Sequence, residues 1–442
     1  MKEYLKRIIL SVLTFEAKLL IARHKYRIIL VAGSVGKTST KDAIYDALSG
    51  SISIRKNKKS LNSDFGVPLA ILGLQSRWGS LVGWIETVIA GAWRVLVGYG
   101  KTEWMVLEVG ADHPGDVRNI VSWLKPNIAV LTRMGELPVH IEFFGSRDDL
   151  VQEDLQIAYG LNKEGVLVTN ADDPDFSHVH TEHDPRVIRY GKSKDAVVRA
   201  HRFSYLVEDG KVQGIKFSIN VAGTDHELIR RGVVGEHHMY PAMAAVAVAL
   251  ALDVPAATAV EGLALPDMPP GRMRIIEGLK GVTIIDDSYN SSPVAVREAL
   301  KTLGEVAAAE HEVNKEKGLE KAGRRIAILG DMKELGHHTK EEHGKIGHLA
   351  PSFCDLLITV GVASRDTADG ALTAGLSEAS LFQFDYSAEA AKFIESILAP
   401  GDVVLIKGSQ SIRMERAVKE IMAHPEDAET LLCRQEEEWL KR

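Results

Sequence analysis

The stretch "IILVAGSVGKTSTKDAIYDAL", residues 28–48, decides how the rest of the chain is read. Residues 28–32 form an apolar, β-branched run of the kind that makes a buried parallel strand. Gly33 and Gly36 then allow a tight turn whose backbone N–H groups point inward, with Ser34 and Val35 between them. Lys37 adds a cation, and a helix beginning near Thr38 and Ser39 adds its positive end. The Thr38 hydroxyl is the group such a loop offers to Mg²⁺. The common phosphate-loop pattern has a further glycine where this chain has Val31, so the motif here reads G-x-x-G-K-T. Strand, glycine turn and helix in this order predict a loop that holds a nucleoside triphosphate, without naming the reaction.

The chain has 442 residues, enough for two or three domains with a substantial buried core. Hydrophobic residues make up 45% and charged residues 26%, as in ordinary globular enzymes. The formal net charge of −7 comes without a basic block suited to a nucleic-acid backbone. Two isolated cysteines, Cys354 and Cys433, lack metal-ligand spacing and fit a reducing compartment. Two segments imitate membrane spans. Residues 1–25 read as a basic amphipathic helix, either packed on the body of the protein or lying on a membrane surface. Residues 81–97, "LVGWIETVIAGAWRVLV", are interrupted by Glu86 and Arg94 and read as a buried domain helix.

From Tyr26 to about Pro270, apolar runs such as "WMVLEVGA", "NIAVLTRM" and "GVLVTNAD" alternate with helical patterns. Each run ends in polar residues, the layout of an open α/β sheet with ligands at the strand ends. "YPAMAAVAVALALDV" is an alanine-rich helix, and "LPDMPPGRM" is the domain break. Four further strands follow in "VTIIDDSYN", "RIAILGDM", "LLITVG" and "DVVLIKGS". The charged, helix-prone stretch between the first two reads as a solvated extension. The expected fold class is therefore α/β: an amphipathic helix over residues 1–25, a parallel-sheet domain of the P-loop NTPase kind over 26–270, and a smaller Rossmann-like domain over 271–442.

"GSVGKTST", "LNSDFGVP", "LEVGADHPGDV", "HIEFFGS", "TNADDP", "PGRMR", "DDSYNSSP", "LGDMKELG" and "VLIKGSQSIRMER" occur in this order. Together they resemble the Mur ligase family over about residues 27–420. "DDSYNSSP" with "GDMKELG" resembles the branch that joins D-Ala-D-Ala to UDP-MurNAc-tripeptide. The family usually begins with a separate domain for the UDP end of the substrate, whereas about 25 residues precede the loop strand here. His238 and Pro241 stand where the family usually has asparagines.

Amide formation from a carboxylate needs a better leaving group, which phosphorylation by ATP supplies before an amine attacks. The crowded negative charge calls for Mg²⁺ and cations. Lys37 and the loop amides are the candidates for the β- and γ-phosphates, and Thr38 and Glu108 for Mg²⁺. The resemblance implies His140 for a second metal, Arg272 for the phosphates, and Asn170 for the adenine side. It places Asn62 and Asp64 on the substrate side. Asp286, Asp287, Tyr289 and Asn290 end a strand where ATP and amine meet, and Lys407 and Arg413 are candidates for the dipeptide carboxylate. His337, His338 and His343 read as surface or cleft residues rather than a metal cluster. Members of this branch usually have a carbamylated lysine that binds the second Mg²⁺; that position falls on Asp154 here, with Glu153 beside it, so Asp154 is expected to supply the oxygen donor for that second ion. The expectation is a cytoplasmic, monomeric ATP- and Mg²⁺-dependent ligase of cell-wall precursor synthesis. A related ligase for poly-glutamate or folate-glutamate, and a non-catalytic nucleotide-binding partner, stand as alternatives.

Overall fold

The computed structural model describes residues 2–57, 61–75, 81–138, 140–177, 179, 185–264, 269–316 and 323–440. Nine strands form one sheet: β1 Arg27–Ala32, β2 Ile54–Lys56, β3 Trp104–Glu108, β4 Ile128–Leu131, β5 Val166–Asn170, β6 Arg186–Gly191, β7 Val198–Glu208, β8 Lys211–Val221 and β9 Thr224–Arg231. Their order is β2-β3-β1-β4-β5-β6-β7-β8-β9. Pairing is parallel from β2 through β7. Six more strands form a second sheet: β10 Arg274–Glu277, β11 Thr283–Asp287, β12 Arg325–Gly330, β13 Leu356–Val360, β14 Leu381–Phe384 and β15 Val403–Lys407. It runs β10-β11-β15-β12-β13-β14, parallel except for the antiparallel β10–β11 pair.

By compactness the first unit comprises Met1–His201, Ser218–Leu228 and Met239–Leu265, and the second Arg202–Phe217, Ile229–His238 and Pro266–Arg442. By the same grouping 202–217 and 229–238 belong with the C-terminal part. Leu13, Ala17 and Leu20 of the helix Lys2–His24 are buried in the first unit's core.

Every residue of β3 and β4 is buried, as an apolar run covered on both faces requires. The register pairs Val31 with Glu108 and Ala32 with Leu131. It levels the ends of β1, β3 and β4, so the segments that follow them emerge at one edge of the sheet. In the second sheet Asp287 pairs with Lys407, bringing the ends of β11 and β15 level in the same way.

Two expectations are corrected. Helix Leu81–Val97 is buried on one face only, because Trp84 and Thr87 face the core while Ile85, Ile89 and Trp93 face out. Helix Pro293–Glu316 is not simply solvated: buried Glu310 accepts hydrogen bonds from the Val212 amide at 3.0 Å and the Thr283 hydroxyl at 2.9 Å. Residues 317–322 of that stretch lie outside the described residues.

Candidate active site

The phosphate loop takes its shape from two glycines. Gly33 has φ +126°, and a Cβ there would lie 2.2 Å from Thr132 Oγ1. Gly36 has φ +87° and starts helix Lys37–Leu48, which has no side-chain cap. The first helical bond runs from the Thr40 amide to the Gly36 carbonyl at 2.9 Å. The amides of Lys37, Thr38 and Ser39 therefore have no partner within the helix, which makes this end an anion site. Lys37 Nζ folds back and donates to the Gly33 carbonyl at 2.5 Å. Ser34 and Val35 differ from expectation: both amides donate to the Arg133 carbonyl, at 2.9 and 3.0 Å. They fasten the loop to the segment after β4 instead of pointing at a ligand.

Helix Arg147–Tyr159 brings Asp154 beneath this loop. Burial pushes the Asp154 carboxyl up to about 6, although Lys37 and a hydrogen bond from the Gly33 backbone pull it down. Its Oδ1 is buried and has no hydrogen-bond partner among the described residues. Its neighbour Glu153 turns the other way and accepts from the Arg118 amide at 2.9 Å, so it gives Asp154 no help.

Glu108 is buried at the end of β3. Two residues on, the Gly110 amide donates to the Asn62 carbonyl at 2.9 Å, which ties "LNSDFGVP" to this edge. Burial, followed by the charge of Asp116, raises the Asp64 carboxyl to about 6, while Asn119 donates to it. His140 has φ +68° and sets Nε2 3.4 Å from Asp112 Oδ1. Exposed Phe143 stacks on His113 at 4.7 Å.

Lys37, Thr38, Asn62, Glu108, His140 and Asp154 thus belong to segments gathered at one edge of the first sheet. The metal candidates do not form a cage. Among the described residues no three His, Cys, Asp or Glu side chains converge as a metal site. Mg²⁺ takes few protein ligands and completes its shell with water and substrate phosphates, so such a site need not be preformed. The orphaned Asp154 Oδ1 and buried Glu108 are oxygen donors of the type this ion takes. Asn170 differs from its expected role. Its amide donates to the Thr132 carbonyl at 3.0 Å and its oxygen accepts from the Asp172 amide at 3.0 Å, so the side chain braces the turn after β5.

In the second unit, Arg272 lies over the Tyr289 ring at 4.2 Å. Its Nε is buried and has no acceptor among the described residues. Nearby His238 is buried, and burial with neighbouring His237, Arg230 and Arg272 holds its pKa well below the ordinary value. Lys407 and Arg413 are more engaged than expected. Lys407 Nζ donates to Asp287 at 2.6 Å and to the Asn290 carbonyl at 2.9 Å. Arg413 pairs with Glu415 and donates to the Trp439 carbonyl at 2.8 Å. Neither cation is left open for a substrate carboxylate in this arrangement. Asp286 is fully buried, and burial raises its carboxyl to about 6. His343 is buried too, with Nε2 accepting from the Met332 amide at 3.0 Å, so it braces the "GDMKELG" loop and lines no metal cluster.

Sequence reading missed Asp112, Thr132 and Arg434. Arg434 pairs with Glu415 at 3.0 Å and donates to the Tyr289 carbonyl, yet it stands in a stretch that looks like a charged tail. Asp112 had a visible signal, since it lies four residues beyond Glu108 in the same strand-end motif.

The Mur ligase middle domain family matches residues 31–249, and the Mur ligase, glutamate ligase domain family matches residues 271–410. A UDP-N-acetylmuramoyl-tripeptide–D-alanyl-D-alanine ligase of Bacillus subtilis is 26% identical over 402 residues, covering 90% of this chain and 76% of that protein. One from Mycobacterium bovis is 29% identical over 399 residues, covering 87% of this chain and 70% of the relative. Among solved structures, the MurF ligase of Thermotoga maritima in complex with ADP superimposes with a TM-score of 0.72 at 24% identity. It covers 93% of this chain and 83% of its own.

Proposed function

The chain belongs to the Mur ligase family, and on that premise we propose that it is an ATP-dependent ligase joining D-Ala-D-Ala to UDP-MurNAc-tripeptide. The observation that carries this reading is the pairing of Val31 with Glu108. It sets an uncapped helix start with Lys37 beside a buried carboxylate at the same sheet edge. That is the arrangement needed to hold a nucleoside triphosphate with its divalent cation.

In this mechanism the amides of Lys37 to Ser39 hold the phosphates, and Lys37 Nζ leaves the Gly33 carbonyl to follow the transferred phosphoryl group. The substrate carboxylate attacks the γ-phosphorus and ADP leaves. The dipeptide amine then attacks the acyl phosphate, inorganic phosphate leaves, and the amine proton passes to a base or water. Thr38 and Glu108 are the residues proposed to hold Mg²⁺, which when bound neutralises phosphate charge. Asp154, and His140 beside Asp112, are proposed for a second ion. Asn62 and Asp64 are proposed to line the tripeptide side. Arg272, over the Tyr289 ring, is proposed to reach the phosphates, and Asp287 and Asn290 to line the amine side. A cytoplasmic location and a monomeric state complete the reading. No helix among the described residues is long and apolar enough to cross a membrane.

The test is phosphate release from ATP with UDP-MurNAc-tripeptide, with and without D-Ala-D-Ala. Release that requires both and matches amide product one to one is the expected result. Release with glutamate as the amine instead favours a glutamate-adding ligase, and no turnover with any pair favours a binding protein.

A further inference from the structure

Helices Lys2–His24 and Leu81–Val97 lie side by side in the first unit. Glu16 Oε2 fits against Gly91, where a Cβ would come within 2.0 Å. Two turns on, His24 Nε2 meets the Val95 carbonyl at 3.0 Å. These two points show that the helices run in the same direction. Their core-facing sides hold Leu13, Ala17 and Leu20, and Trp84 and Thr87.

The outer sides are not polar. Along Leu81–Val97, Ile85, Ile89, Trp93 and Leu96 are 61, 64, 64 and 56% exposed. Their spacing of i, i+4, i+8 and i+11 puts them on one stripe over most of a helix about 25 Å long. On the partner helix, Ile8 and Phe15 are 43 and 60% exposed on a matching stripe. The helix positions that turn toward the seam on each side continue into these stripes, so the two form one apolar face. Glu86 interrupts its edge. A helix with one apolar side packed and a second apolar stripe exposed needs a cover for the second.

We propose that this two-helix face docks the protein on an anionic phospholipid surface, with Leu81–Val97 as its main inserted element. The argument from charge decides the occupant. Residues 1–27 contain seven Lys and Arg and two Glu, one of them the buried Glu16, although the whole chain carries −7. Exposed Arg7 borders the apolar stripe, where a long cationic side chain reaches headgroups while the stripe enters the acyl boundary, and exposed Lys18, its ammonium 5.8 Å from the Trp123 ring, stands on the same flank. Exposed Trp93 suits the same depth. A second copy of the chain fits less well, because a two-fold interface would set the same cations against each other. Neither helix is long and apolar enough to span, so the contact is peripheral. Phe65, next to Asp64, packs on Trp84 of this helix at 5.9 Å, so the docked face lies behind the proposed substrate loop.

The test is sedimentation of the full chain with vesicles of phosphatidylglycerol and phosphatidylethanolamine, and with vesicles of phosphatidylcholine alone. Binding to the anionic vesicles that weakens with salt is expected, with little binding to the neutral ones. Ile89→Gln/Trp93→Gln should lower partitioning about tenfold or more while ATP-dependent ligation in solution and the melting temperature stay unchanged. Quenching by brominated lipid should fall in Trp93→Phe, which keeps the apolar face and the binding. Absence of binding to the anionic vesicles overturns the proposal. So does equal binding by the double variant, or a concentration-dependent dimer abolished by that variant in a protein that ignores vesicles.

Discussion

Asp154 is the residue whose surroundings say most. Its ordinary carboxyl value of 3.8 rises to about 6 because burial outweighs the pull of Lys37. The ionised form is therefore disfavoured in the free protein, and a cation at Oδ1 would relieve it. Asp154→Asn removes that penalty and should raise unfolding stability at pH 7.5 by about 3 kcal/mol, a difference that vanishes below pH 4. The same variant should weaken Mg²⁺-dependent ADP binding at least about tenfold, as calorimetry would show. A stability gain with normal Mg²⁺ dependence would make Asp154 a prop for the loop alone. An aspartate also needs no carbamylation, so activity is expected to be the same in CO₂-free and bicarbonate-containing buffer. Gly33→Ala is the complementary case. Its Cβ would collide with Thr132 Oγ1 at a φ of +126°. Nucleotide affinity should drop by more than about tenfold in a protein that remains folded, measured by ADP titration.

Among the elements, helix Pro293–Glu316 shows how a charged sequence can be structural. Glu310 is the one point at which it satisfies both the Val212 amide and the Thr283 hydroxyl. Glu310→Leu leaves two buried donors without an acceptor and should destabilise by about 2–4 kcal/mol in urea unfolding. Glu310→Gln retains a carbonyl acceptor and should cost about half as much or less. Equal losses in the two variants would mean that the charge, and not the acceptor, is what the site needs. The paired helices Lys2–His24 and Leu81–Val97 show the reverse case. Apolar sequence there marks an outer face as well as a core face.

For the whole molecule, buried carboxyls set the response to pH. Burial raises Glu16 to about 7, and Asp154 and Asp286 to about 6. A raised carboxyl binds its proton more tightly in the folded state. Its contribution to stability is complete below the unfolded value and is lost as pH climbs through the folded one. Unfolding free energy should therefore fall between pH 5 and pH 8, by about 3–5 kcal/mol once solvent screening at Glu16 is allowed for. Glu16→Gln should shrink that fall, because Glu16 titrates last of the three. A flat or rising profile in chemical denaturation would show that these groups find counter-charges or water.

The sequence alone determined what depends on local order. The run 28–48 specifies strand, turn and helix because glycine, lysine and apolar residues each act within one turn of their neighbours. The parallel strands were legible for the same reason, since a strand buried on both faces reads as an unbroken apolar run. Glu108 and Asp287 could be placed at strand ends because they close such runs. Only tertiary structure decided the rest. Ser34, Val35, Asn170, Lys407 and Arg413 have the right chemistry for ligands, but partners distant in sequence occupy their hydrogen-bonding groups. Arg434 reaches Tyr289 from a tail with no motif of its own. The outward face of Leu81–Val97 could not be read either, because Glu86 and Arg94 fall too far apart to mark a polar stripe that would show which side meets the core. Hydrogen-bond donors and apolar faces are assigned by what packs against them, and that is a property of the folded chain.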